Sequence, residues 1–301
     1  AMNPMRDYII NNLNDFYTLQ ILGDIFLKVE RYAEAIDTYS RLIISDENNE
    51  NYYLNIANSH YKLNNFSDAL TYYKKVIDLN DTNHDIFFKI GLILNKENLF
   101  NEAELYFNKA LECGPLNKEL LIELGQCYAG QKKLLQSMLT FKEALQFSLE
   151  DPIIHYQLGV IYKELHMYDL AIDNFLFFIK FHEDDEITYS LIGDSYFELE
   201  QYKDAIKYFN KGYKINYNIK PLFKIGKSYQ KLEDTKNAIK YFKNVLKKNP
   251  DHVKSRIQLI KVYKQLNREK EIKRECEIVY MLDRSAYNML TPCIQSTQNK
   301  K

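Results

Sequence analysis

Apolar and polar positions alternate with a helical period along almost the whole chain, and the alternation breaks at regular distances. Between Asn51 and Asn80, apolar residues fall at helical spacing on both sides of the short break Leu63-Asn64-Asn65-Phe66. This predicts two amphipathic helices joined by a tight turn, with Asp/Asn clusters separating one hairpin from the next. A fixed period marks the hairpins. Gly23, Gly91, Gly125, Gly159 and Gly193 share one phase of it, Ala57 fills the gap between the first two, and Gly226 follows one place early. Ala35, Ala69, Ala103, Ala171, Ala205 and Ala238 form a second ladder, with Ser137 in the vacant place. One helical turn after each of these comes a large ring: Tyr39, Tyr73, Phe107, Phe141, Phe175, Phe209 and Phe242. Another ring series, Phe26, Tyr128, Tyr162, Tyr196, Tyr229 and Tyr263, trails the glycine phase by three.

A small residue where two helices cross lets their backbones approach, and an aromatic one turn away fills the space beside it. A self-similar period of this length predicts a stack of repeated units, here helical hairpins. The pattern resembles the tetratricopeptide repeat, whose unit of about 34 residues reads W-x2-L-G-x2-Y…A-x3-F…P. Leu158-Gly159-x2-Tyr162…Ala171-x3-Phe175 and Ile192-Gly193-x2-Tyr196…Ala205-x3-Phe209 match it closely. The Trp place departs from it, holding Leu19, Tyr53, Phe87, Leu121, His155, Tyr189, Leu222 and Arg256, and the closing Pro occurs only as Pro115 and Pro250. The resemblance implies an all-α, right-handed superhelical solenoid of about eight hairpins over residues 16–283, with units starting at 16, 50, 84, 118, 152, 186, 219 and 253. Residues 1–15 are expected to form an N-terminal cap segment and residues 284–301 a polar C-terminal tail. The eighth unit has lost its markers, with Ile260, Ile272 and Cys276 at the glycine, alanine and aromatic places, as expected of a terminal repeat.

Composition agrees with helices and short turns: 9 Gly and 6 Pro against 25 Tyr and 17 Phe, without Trp, in 301 residues. The formal net charge of −1 speaks against a wholesale nucleic-acid or membrane binder. The N-terminus carries no signal-like stretch and the most apolar run, 175–181, is interrupted by Lys180, so no membrane span is expected. The Ala ahead of Met2 reads as a cloning remnant, and the natural chain is expected to begin at Met2 or to be longer. Cys113, Cys127, Cys276 and Cys293 show no CxxC spacing and no partner His, which suggests neither disulfides nor zinc and fits a reducing, cytoplasmic setting.

Candidate chemistry is sparse. Gly226-Lys227-Ser228 has the end of a phosphate-binding loop, but the glycine required five places earlier is Pro221. The six histidines never pair at metal-ligand spacing, and His60 and His155 fall at packing places. Asp184-Asp185-Glu186 sits at a joint between units, where acids serve the next helix as dipole partners. No catalytic, cofactor or metal site is expected, nor a small-molecule substrate.

By resemblance the first helix of each hairpin lines a concave groove with its second, fifth, sixth, ninth, twelfth and thirteenth residues. In the seventh unit Lys220, Lys224, Lys227 and Lys231 form one stripe, continued in the eighth by Lys254 and Lys261 with Lys264 beside them. Residues 219–283 hold 17 Lys/Arg against 8 Asp/Glu, and residues 1–218 hold 20 against 33. Glu119, Glu123, Glu164, Asp194 and Glu198 fall at inner places of units four to six, so the groove is expected to run from acidic to basic. An acidic peptide or helix is the expected ligand of the stripe, set against the reading that solvated helices simply carry lysines. Asn55, Asn58 and Asn95 are candidates to grip a peptide backbone. The carboxylate clamp of heat-shock co-chaperones is absent from the first three units and from the last three. The function expected is a non-catalytic adaptor that binds other proteins, within a larger assembly. The alternative is the substrate-recruiting arm of a larger enzyme such as a glycosyltransferase. RNA binding through the basic end has less support, because Phe223 is its main candidate for stacking.

Overall fold

Each first helix opens on an Asx or His residue, and all but Asn83 accept a hydrogen bond from a free N–H of the first turn. The structure, a computed structural model, describes residues 15–289. Asp15 accepts from the Thr18 N–H, Asn49 from Asn51, Asn117 from Leu120, Asp151 from Ile153 and Ile154, Asp185 from Thr188, Asn218 from Lys220 and His252 from Ser255. The helices so started pair with their successors in hairpins. Of the described residues, those up to Leu149 form one compact unit and those from Glu150 onward a second. In the first unit the described pairs are α1 (Phe16–Lys28) with α2 (Tyr32–Ser45), α3 (Glu50–Lys62) with α4 (Phe66–Leu79), α5 (His84–Lys96) with α6 (Phe100–Cys113), and α7 (Lys118–Gly130) with α8 (Leu134–Leu145). In the second they are α9 (Pro152–Glu164) with α10 (Tyr168–Phe178), α11 (Glu186–Glu198) with α12 (Tyr202–Ile215), α13 (Ile219–Lys231) with α14 (Thr235–Lys248), and α15 (Val253–Gln265) with α16 (Glu269–Leu282). Residues 284–289 are helical. The remainder of the expected tail, and residues 1–14 of the expected cap, lie outside the described residues.

The turn inside every hairpin is the same. One residue with positive φ ends the first helix: Glu30, Asn64, Asn98, Lys132, His166, Glu200, Glu233 and Asn267, with φ between 51° and 62°. The next N–H reaches back across the turn to close a Schellman motif, as Met167 does to the Tyr162 carbonyl at 2.8 Å and Gln201 to Tyr196 at 2.9 Å. Glycine, the usual occupant of this conformation, is absent from all eight places.

The small and large ladders meet inside the hairpin. A Cβ added to Gly193 would lie 2.5 Å from Phe209 Cε1, and one on Gly159 would lie 2.7 Å from Phe175. The ring of the second helix therefore occupies the volume that a side chain on the first would need. Tyr39, Tyr73, Phe107, Phe141, Phe175, Phe209 and Phe242 are all fully buried. The last hairpin exchanges the sizes: Ile260 stands at the glycine place and Cys276 at the ring place, both buried in one cluster with Val279. What looked like lost markers is a compensated pair, large where the others are small and small where they are large.

Candidate functional site

Within each unit, first helices of neighbouring hairpins touch one another, α5 with α7 and α13 with α15, whereas no two second helices make a comparable contact among the described residues. The inner face is thus made by first helices, and its side chains divide into those that bind the stack together and those that face solvent.

The sixth residue of the first helix is of the first kind. Lys224 Nζ lies 2.7 Å from Asp194 of the preceding hairpin and donates to Ser190 Oγ at 3.1 Å, with its ammonium 5.4 Å from the centre of the Phe209 ring. Lys89 repeats the arrangement in the first unit: Nζ donates to Asn58 Oδ1 at 2.8 Å and sits 5.9 Å from the Tyr73 ring centre. Burial pushes the Lys89 ammonium below the usual lysine range, and neighbouring Asp85 partly offsets this. Asn55, in the same place, neighbours the Tyr39 hydroxyl, which donates to Asp24 Oδ1 at 2.6 Å. Lys224 therefore joins two hairpins, its ammonium already paired with Asp194, unlike the other lysines of the α13 stripe.

The asparagines expected to hold a peptide are likewise engaged. Asn58 Oδ1 accepts from the Tyr73 hydroxyl at 2.8 Å as well as from Lys89, and Asn95 Nδ2 donates to Glu123 Oε2 at 3.2 Å. Burial raises the Glu123 carboxyl above its ordinary range against the opposing pull of that hydrogen bond. Asn95 and Glu123 line a cleft of about 410 Å³ with Tyr61, Leu92, Phe100 and Gln126. Lys89, Glu123 and Asp194 owe their coupling to residues of the adjacent hairpin, and only superposing the units by period would have paired them.

The other inner lysines differ in exposure. Lys220 and Lys231 on α13 and Lys254 and Lys261 on α15 are exposed, and none enters an ion pair of the described residues. Lys227 is half-buried with its ammonium 5.1 Å from the Phe197 ring centre, and Lys264 is half-buried with an internal partner. The Gly226-Lys227-Ser228 sequence is accounted for by packing: Gly226 faces Phe242, and buried Ser228 donates to the Lys224 carbonyl. Phe223, the candidate stacking residue for RNA, is partly buried and packs against Phe242 and His252, at 5.8 Å and 5.3 Å between ring centres. His60 stacks on Tyr72 and His155 bonds Asn174 at 2.8 Å. Among the described residues no His, Cys, Asp and Glu gather as a metal site, and no helix is long and apolar enough to cross a membrane.

Three tetratricopeptide repeat family models match the sequence, over residues 51–83, over 84–112 and 188–219, and over 222–252. No curated protein matches it significantly. Solved structures do resemble the fold. The C-terminal part of a TPR repeat-containing protein from Cytophaga hutchinsonii has TM-score 0.66 at 20% identity, over 78% of this chain and 96% of its own. YrrB, described as a TPR protein with an unusual peptide-binding site, gives 0.55 at 20% over 60% and 93%, and MamA from Desulfovibrio magneticus gives 0.52 at 19% over 55% and 93%. At these identities the likeness concerns the fold. With the period written in the sequence, eight described hairpins built on one small-against-large contact, and repeat models matching in both units, the chain carries tetratricopeptide repeats.

Proposed function

We propose that the chain is a non-catalytic scaffold that holds an acidic, extended or helical segment of another protein against the first helices of its second unit. One observation carries this reading: α13 and α15 touch, and Lys220, Lys231, Lys254 and Lys261 project from them exposed and without ion pairs among the described residues. Exposed cations with no internal ion pair are the ones available to a ligand, whereas Lys224 already neutralises Asp194. The peptide-binding site named for YrrB, a protein of the same fold, is consistent with this use of the architecture. Selection of a random peptide display library on the immobilised chain tests it. Enriched peptides should be rich in Asp and Glu and should be lost when Lys220, Lys254 and Lys261 are each changed to Glu. Enrichment of peptides that ignore this reversal would refute the site, and failure to enrich any peptide would refute the function.

A further inference from the structure

The largest accumulation of charge lies on the second helices. Together α12 and α14 carry nine lysines and a single acid, Asp204. Lys203, Lys207, Lys211 and Lys214 share one exposed stripe of α12, and Lys236, Lys240, Lys243 and Lys247 share one of α14. Both stripes lie opposite the buried faces made by Ala205, Phe209 and Gly212 and by Ala238, Phe242 and Val245. Three of the four positions recur one period later, Lys203 as Lys236, Lys207 as Lys240 and Lys214 as Lys247, so the repeat copies the stripe onto the next second helix. Each runs about 16 Å along its helix. None of the eight lysines enters an ion pair of the described residues.

Solvated helices do not carry such stripes by default in this chain. The four places equivalent to the α12 stripe hold Asp169, Asp173, Phe177 and Lys180 on α10 and its end, and Asn101, Leu105, Lys109 and Glu112 on α6. Like charges three and four places apart repel and weaken a helix, and no ion pair among the described residues relieves them. Neighbouring lysines are closer than a Debye length of about 8 Å, so their fields add.

We propose that this outer face of the second unit docks on a negatively charged lipid bilayer surface. Three features favour lipid over other polyanions. Every cation is lysine, a hydrated point charge suited to diffuse attraction, and none is the forked arginine that reads phosphate or carboxylate bidentately. The rings nearby lie beneath ammonium groups, Tyr208 under Lys207 and Lys211 and Tyr241 under Lys240, and so are closed to base stacking. At the end of α12, Tyr217 is 66% exposed and Ile215 37%, beside Lys214 and Lys248, a mixture that suits the headgroup layer. A two-stripe patch also fits a broad surface that demands no register. This surface is separate from the inner lysines of the proposed protein site.

Flotation of the full chain with vesicles tests the proposal. The chain should bind phosphatidylcholine vesicles containing phosphatidylserine, ignore pure phosphatidylcholine, and lose binding as salt rises. Changing Lys207, Lys211, Lys240 and Lys243 each to Glu should weaken vesicle binding about 100-fold or more with the helical circular dichroism unchanged. Changing Lys220, Lys254 and Lys261 to Glu should leave it within about threefold of the parent. No binding of the parent to acidic vesicles at low salt, or equal binding by the outer variant, would overturn the proposal. So would a short DNA duplex or polyglutamate that displaces the chain from vesicles when present well below the lipid concentration, assigning the lysines to nucleic acid or to acidic protein.

Discussion

Replacing Gly226 by Ile places a branched side chain where the Phe242 ring now lies. Even the first carbon would sit 2.6 Å from Phe242 Cε1 and 2.8 Å from Cδ1, against contact distances of about 3.5–4.0 Å. The ring is fully buried, so it must retreat about 1 Å into a packed interior, and the variant should lose about 3 kcal/mol, the upper end for overpacking. Phe242→Cys alone empties that volume and should lose about 3–4 kcal/mol. The two together reproduce the exchange present in the last hairpin, where Ile260 and Cys276 share a buried cluster. The double variant should therefore be more stable than the sum of the single losses by about 2–3 kcal/mol. Urea melts of the four proteins, followed by circular dichroism, measure this coupling. Additivity within about 0.5 kcal/mol would show that the two places do not compete for one volume.

Other outcomes follow from the caps, turns and ion pairs. Glu200→Gly relieves a positive φ of 60° and should raise the urea midpoint by an amount worth about 0.5–1 kcal/mol, whereas a loss would contradict the turn conformation. Lys224→Met leaves Asp194 unpaired and should lose about 1–2 kcal/mol, while Lys220→Met stays within about 0.5 kcal/mol of the parent in the same melts. His252 accepts the Ser255 N–H, and burial depresses its pKa below the ordinary 6.5. The unfolded chain then takes up this proton first, so stability is full above about pH 6.5 and falls as the pH drops toward the folded value. His252→Asn, which keeps a capping oxygen, should lose that part of the pH dependence of the melting temperature.

Much of the fold was legible because its principal contact is between residues of extreme size. A glycine facing a phenylalanine, in five of the eight described hairpins, leaves a mark that helix propensity alone does not. The turns were less legible: Glu30, Lys132, His166, Glu200 and Glu233 adopt the left-handed conformation without being glycine or asparagine, held there by the bonds around them. His252 gave no sign of being a cap, since histidine seldom serves as one. The lysines are the hardest to sort from sequence. Charge counted along the sequence joined three kinds of lysine over residues 219–283: the exposed inner ones, Lys224 bonded to Asp194, and the outer row on α14. The outer row on α12 fell on the other side of the chosen boundary. Only the repeat phase, followed through to three dimensions, separates them.

The inner lysines of the second unit are proposed to hold the partner protein. Capture from the native cell extract, run side by side with the parent chain and two charge-reversed chains and quantified for the main bound protein, tests this most directly. The inner reversal, Lys220, Lys254 and Lys261 to Glu, should lose the partner while keeping its helical circular dichroism. The outer reversal, Lys207, Lys211, Lys240 and Lys243 to Glu, should keep it. Retention of the partner by the inner variant would contradict the claim.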